Sequence, residues 1–211
     1  MQFGIGQPVR REEDPRFITG KGRYTDDHVP DGVVPAVFLR APLARARIRS
    51  IDASAAQALP GVIRVFTGAD TTALGPMPIL VPKLRQLERP DGQPMPIPDR
   101  LAIARDRVAH LGEIVAMVVA ETTATARDAI ELIELDLDEE QGAPTLASAL
   151  RQGAPAVWDS AADNVAFRVQ MGDEAAVEAA LGQAAHVSTV EIPVSRLAMN
   201  PMEPRGALGE Y

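Results

Sequence analysis

Side chains able to do chemistry are few in this sequence and far apart. His28, His110 and His186 are scattered, and none has the His-x-x-x-His partner that would put two imidazoles on one helix face. His110 precedes Leu111-Gly112-Glu113 at a turn into an apolar run, which predicts a structural rather than a catalytic role. Asp136, Asp138, Glu139 and Glu140 form a carboxylate cluster, but without calcium-loop spacing they read as a solvated strand end. Gly20-Lys21-Gly22 lacks the spacing of a dinucleotide-binding loop, and neither a P-loop nor a nucleophile elbow is present. Glu203 and Arg205 lie two apart and share a side if the chain is extended, which predicts an internal ion pair. The sequence has no cysteine, which excludes a catalytic thiol, disulfides and any cysteine-held zinc or iron–sulfur cluster on this chain. The residues alone describe a soluble α+β domain without an evident active site.

The chain that must position these groups has 211 residues, 46% of them hydrophobic, enough for one or two domains with a sizeable core. With 21 Lys and Arg against 29 Asp and Glu its net charge is −8, a poor match to a phosphate backbone, so no nucleic-acid partner is expected. Nearly all the cations are arginine, Lys21 and Lys83 being the exceptions. Arginine suits planar, bidentate ion pairs. No run of about 18 apolar residues exists and the first thirty residues are charged, so neither a membrane span nor a signal peptide is expected. The cytoplasm is the default compartment.

Residues 1–34 are polar and interrupted by Gly and Pro every few positions, as in an extended arm lying over a partner surface. Strand patterns follow at Val37–Leu39, Ile48–Ile51 and Val62–Phe66, with Asp52 placed to cap a short helix over 53–59. Pro76, Pro78, Pro82, Pro90, Pro94, Pro96 and Pro98 make 75–100 a long loop. Apolar character returns over Leu101–Val108, and Ile114–Ala120 is an unbroken apolar run, as in a strand covered on both faces. A helix then presents Ala126, Ala129, Ile130 and Ile133 at i, i+3, i+4, i+7, with Arg127 and Glu131 paired outside. Leu135 and Leu137 alternate with Asp136 and Asp138 as in one more strand. Residues 141–163 read as a linker around a short Leu146–Leu150 helix. Beyond it the pattern predicts strands at Asn164–Val169, His186–Ile192 and from Gly206 to Tyr211. A helix opened by Asp173 should show a face of Val177, Ala180, Leu181 and Ala184. So small a second unit cannot make a core alone, and the sequence reads as cut off within it.

Three stretches carry a family resemblance. Gly6-Gln7-Pro8-Val9-Arg10-Arg11-Glu12-Glu13-Asp14-Pro15-Arg16-Phe17-Ile18-Thr19-Gly20-Lys21-Gly22-Arg23-Tyr24-Thr25-Asp26-Asp27 resembles the start of the molybdenum-binding large subunit of the xanthine dehydrogenase, aldehyde oxidase and carbon monoxide dehydrogenase family. Val108-Ala109-His110-Leu111-Gly112-Glu113-Ile114-Val115-Ala116-Met117-Val118-Val119-Ala120-Glu121 is similar to that family's V-x-x-x-G-E-x-V-A-x-V-V-A-E strand. Gly172-Asp173, then Ala184-Ala185-His186-Val187, then Asn200-Pro201-Met202-Glu203-Pro204-Arg205-Gly206, resemble the entry to its molybdopterin-binding domain.

The resemblance implies an α+β chain: an arm over 1–34, an α/β-hammerhead domain over 20–140, a linker over 141–163, and over 164–211 the incomplete start of a molybdopterin-binding domain. It implies a part of a molybdenum hydroxylase that hydroxylates aldehydes, purines or N-heterocycles with oxygen from water, or oxidises carbon monoxide. The molybdenum–molybdopterin cofactor belongs to the complete enzyme, with iron–sulfur and flavin groups on other domains or subunits. The implied partners are the rest of the molybdenum-binding subunit, the iron–sulfur and flavin subunits and a small-molecule substrate. The family's glycine-rich cofactor loops and its base glutamate normally lie far downstream. No catalytic, cofactor-binding or metal-binding residue is therefore assigned, and the chain alone is expected to be inactive. The rival reading is a stand-alone hammerhead-type assembly or binding module without redox chemistry.

Overall fold

Alternation of apolar and charged residues builds two small antiparallel sheets in the computed structural model, which describes residues 6, 10–79, 87–194, 200, 201 and 203–210. The first sheet contains β1 (Ala36–Arg40), β3 (Val62–Thr67) and β5 (Ile114–Ala120), in the order β1-β5-β3. The second contains β2 (Ala46–Asp52), β4 (Arg107–Val108) and β6 (Glu134–Glu139), in the order β4-β2-β6.

β5 shows why its sequence is apolar throughout. Ala116, Val118 and Ala120 point into a cluster with Ala56, Val65, Ala126, Ala129 and Ile133, while Val115 enters a second cluster with Ala41, Ala46, Ala104 and Val108. Side chains alternate across a strand, so one strand between two cores must be apolar on both sides. Val118 lies opposite Val37 on β1 and Val65 on β3, and it is fully buried.

Two helices cover the first cluster. In α2 (Ser54–Ala58) the cap position is Ala53, not Asp52; the Asp52 carboxylate instead accepts the Ser54 N–H at 2.9 Å. In α3 (Thr123–Glu131) the Thr122 hydroxyl accepts the Thr125 N–H at 3.0 Å, satisfying one of the amides left free at a helix start. Of the expected face, Ala126 and Ala129 are buried within α3, Ile130 is half-buried against the cluster, and Ile133 packs just beyond the helix end. Arg127 and Glu131 are exposed and form no ion pair with each other, contrary to expectation.

The proline-rich stretch carries an isolated bridge between Glu88 and Pro94; part of that loop, residues 80–86, lies outside the described residues. After α4 (Leu146–Ala149), Asn164 holds a turn in the left-handed region, at φ 59°. Its Oδ1 accepts the Val157 N–H at 2.8 Å, and its Nδ2 donates to the Ala149 and Pro155 carbonyls at 3.0 Å each. Asn tolerates this backbone because its own side chain replaces the lost hydrogen bonds.

The expected strands at Asn164–Val169, at His186–Ile192 and from Gly206 do not form; Tyr211 lies outside the described residues. A strand exists only through the ladder that a neighbour completes, and among the described residues none supplies one. The expected helix does form, as α5 (Glu174–Gln183), with the Asp173 carboxylate accepting the Ala176 N–H at 3.0 Å. Its predicted apolar face is not buried: Val177 and Leu181 stand exposed.

Residues 34–180 form one compact unit. A separate unit draws together described residues up to Val33 and from Leu181 onward. Within it α1 (Asp14–Ile18) forms where an extended arm was expected, with Pro15 early in its first turn, where a missing N–H costs nothing. Gly20 ends that helix at φ 69°: its N–H reaches the Phe17 carbonyl and the Lys21 N–H reaches the Arg16 carbonyl, the paired bonds of a Schellman stop.

Candidate functional site

The best-defined polar arrangement lies on the outer side of the β4-β2-β6 sheet. Alternation along β2 sends Ala46 into the core and Arg47 and Arg49 to the outside. Across from them β6 offers Asp138, and the residue following β6 is Glu140. Arg49 pairs with Asp138 at 2.9 Å. Glu140 serves three arginines: Arg45 Nε donates to it at 2.9 Å, Arg47 stands 3.8 Å away and Arg107 of β4 3.9 Å away. The Arg45 hydrogen bond, with the Arg107, Arg45 and Arg47 charges, holds the Glu140 carboxyl below the usual carboxylate range despite partial desolvation. Arg45 also donates to the Ala156 carbonyl, tying the stretch after β6 to the sheet. Asp138 and Glu140, expected to be a solvated strand end, are thus counter-ions to the arginine strand beside them.

A second arginine fastens the same stretch. Arg89 donates to Asp163 at 2.8 Å and to the Val165 carbonyl at 2.6 Å, with Asp91 3.4 Å away. The Arg89 hydrogen bond lowers the Asp163 pKa, reinforced by the Val165 N–H. No sequence pattern pointed to the Asp163 and Val165 contacts, because those partners lie 74 and 76 residues from Arg89.

The other side chains considered from sequence fall elsewhere. Glu113 turns back on its own loop, accepting the Ala109 N–H at 2.6 Å, with His110 Nδ1 at 3.5 Å. His110 itself is exposed. His28 is exposed after a 3₁₀ turn, and His186 Nε2 lies 3.2 Å from the Ser188 hydroxyl. Lys21 and its flanking glycines belong to the end of α1. Glu203 does not pair with Arg205: its Oε1 accepts the Thr25 N–H at 3.1 Å and the Thr25 hydroxyl at 3.2 Å. Among the described residues, no group of three or more His, Asp or Glu side chains could hold a metal ion, and no helix is long and apolar enough to cross a membrane.

The donor set does not fit a molybdopterin cofactor either. A pterin needs convergent donors and acceptors that the protein itself leaves unused. Among the described residues the one buried side-chain polar atom without a partner is Arg105 Nε. That guanidinium already points to the Thr71 and Leu74 carbonyls, at 2.8 and 3.2 Å. The tightest glycine, Gly68, is a packing contact rather than a cradle: a Cβ there would collide with the Ala104 carbonyl oxygen.

Comparison with known proteins is consistent across sequence and structure. The pattern described as "Aldehyde oxidase and xanthine dehydrogenase, a/b hammerhead domain" matches residues 19–141. The chain is 36% identical over 209 residues to the nicotine 6-hydroxylase large subunit of Paenarthrobacter nicotinovorans, covering 98% of this chain and 24% of that protein. It is 32% identical to the carbon monoxide dehydrogenase large chain of Afipia carboxidovorans, covering 95% of this chain and 25% of that one. The crystal structure of a Cu,Mo-CO dehydrogenase superposes with a TM-score of 0.64 at 32% identity, over 87% of this chain and 23% of that chain. The chain therefore spans about a quarter of the length of the relatives it matches.

Proposed function

The chain belongs to the aldehyde oxidase and xanthine dehydrogenase family, and from that premise we propose that it is the N-terminal part of the large subunit of a molybdenum hydroxylase. Its role there is structural: it carries the hammerhead domain over 20–140 and leads through 141–163 into a cofactor-binding region that begins near 164. The reaction of the whole enzyme is hydroxylation of an aldehyde, purine or N-heterocycle with oxygen from water, or oxidation of carbon monoxide. The observation that carries this reading is the coincidence of the family pattern over 19–141 with the two-sheet core clamped by β5.

The cofactor is held by the remainder of the large subunit. No catalytic, cofactor or metal ligand is assigned to this chain. Electrons leave through iron–sulfur and flavin groups on partner subunits, and the assembly works in the cytoplasm without a nucleic-acid partner.

The test is to tag this chain in its native cell, isolate what it assembles with, and measure molybdenum, pterin and ¹⁸O transfer from labelled water into product. Molybdenum and pterin in the assembly, and none in the isolated 211-residue chain, is the expected result. An assembly free of both, or stoichiometric molybdenum with activity in the isolated chain, overturns it.

A further inference from the structure

Among the ion-paired arginines of the described residues, two are far less exposed than the rest. The Arg45 side chain keeps 13% of its surface and Arg89 12%, against 34% or more for the others. Both spend donors on one segment, 141–168. Arg45, just ahead of β2, donates to the Ala156 carbonyl. Arg89 donates to Asp163 at 2.8 Å and to the Val165 carbonyl at 2.6 Å. A guanidinium is costly to bury unless its N–H groups are met, so these two are committed to the segment they hold.

Arg89 is itself fixed by a small hairpin in the proline-rich loop. Its N–H donates to the Gln93 carbonyl at 2.8 Å, and the Met95 N–H donates to the Leu87 carbonyl at 3.0 Å. Gly92 closes the turn between them at φ 76°. On the same hairpin the Glu88 carbonyl accepts the Arg168 N–H at 3.1 Å. Among the described residues that is the last hydrogen bond from this stretch to residues 34–140; beyond it, all of 169–194 is exposed.

Apolar packing contributes little to this hold. Neither core cluster takes a residue from 141–168; within that stretch Ala161 alone is buried and Trp158 is half-buried. A segment kept in place by a few polar bonds can leave without exposing a core, whereas one packed into the core cannot.

We propose that 141–168 is not a free linker but a strap latched to the hammerhead domain by Arg45 and Arg89, and that the Arg89 hairpin fixes where the chain leaves that domain. Arg89 is thus a positioning residue, and the strap opens while the two-sheet core stays folded. The latch lies wholly within residues 34–180 and stands or falls without the molybdenum hydroxylase reading.

The chain has one tryptophan, Trp158 on the strap, and no cysteine, so it offers both a native reporter and clean labelling positions. With nitroxides at Ser50→Cys on β2 and Gln170→Cys just past the strap, the 211-residue chain is expected to give one narrow distance distribution. Arg89→Gln should at least double its width and raise acrylamide quenching of Trp158 at least twofold. The midpoint of the cooperative melt followed by circular dichroism should stay unchanged. Arg89→Lys should lie between, since it keeps the charge for Asp163 and loses the fork that also reaches Val165. Arg49→Gln, paired with Asp138, should change neither readout. A broad distribution in the parent chain, or an unaltered one in Arg89→Gln, overturns the proposal. So does loss of the cooperative melt together with the strap, which would make 141–168 part of the core.

Discussion

Two regions carry nearly the same written pattern and have opposite fates. Around α3, apolar residues at helical spacing are followed by an alternating strand; α3 closes over β1, β3 and β5 with Ala126, Ala129 and Ile133 buried, while β6 turns Leu135 and Leu137 to the cluster that Val115 enters. Around α5, Val177, Ala180, Leu181 and Ala184 repeat the spacing and Val190, Ile192 and Val194 repeat the alternation, yet all of them are exposed. Amphipathic order states which side seeks cover; it does not supply the cover. The first region has β5, a strand that serves two cores, and the second has no comparable neighbour among the described residues.

The severest way to break the first region is Val118→Asp, which puts an unpaired charge between β1 and β3. A loss of about 4 kcal/mol or more is expected, out of the ~5–15 kcal/mol that holds such a domain. Retained cooperative melting near the wild-type temperature would show that β5 is not the shared wall of the two cores.

Ile133→Ala against Leu181→Ala tests the contrast itself. The buried Ile133 should cost about 2–5 kcal/mol, whereas the exposed Leu181 should stay within ~0.5 kcal/mol in the 211-residue chain. Equal shifts in urea midpoint would mean that α5 has a core of its own.

Asn164→Ala removes three hydrogen bonds and leaves a left-handed residue without its local support. About 2–3 kcal/mol is expected, with earlier proteolysis of 141–165. An unchanged digestion pattern would show that Arg45 and Arg89 hold that stretch without it.

Acid should loosen the same stretch. Glu140 and Asp163 ionise more easily in the folded chain than in the unfolded one, through Arg45 and Arg89 respectively. Their contribution is therefore complete above the ordinary carboxylate range and is lost as pH falls through that range toward the lowered folded values. Urea midpoints measured from about pH 6 to about pH 3 should fall, and should fall less steeply in Glu140→Gln. A parallel slope in that variant would remove Glu140 from the account. Smallest of all is Glu131→Ala, exposed and without an ion pair to Arg127: a change within about 0.5 kcal/mol in thermal melts is expected.

Much of the first unit was legible because its signals are local. The β1, β2, β3, β5 and β6 cores, α3, and the unbroken apolar run of β5 all follow from periods of two and 3.6 read over short windows. The strand expectations at Asn164–Val169, His186–Ile192 and from Gly206 rest on the same local rules, but those segments find no ladder partner among the described residues. The arginine site was not legible. Arg47 and Arg107 are 60 positions apart, and only the β2–β4 register brings them opposite each other.

The sequence by itself determined the strands β1, β2, β3, β5 and β6 and the helices α3 and α5, which side of each amphipathic element is apolar, that no thiol or cysteine-held metal chemistry is available, and which family the chain resembles. Those properties depend on neighbouring residues and on residue type alone. Only the tertiary structure decided that β5 divides two cores, that Glu140 gathers three arginines, that Glu203 turns to Thr25 instead of Arg205, and that α5 stays uncovered. Each of these depends on which distant segment arrives alongside, and burial or ion pairing is a property of that meeting rather than of either partner's residues.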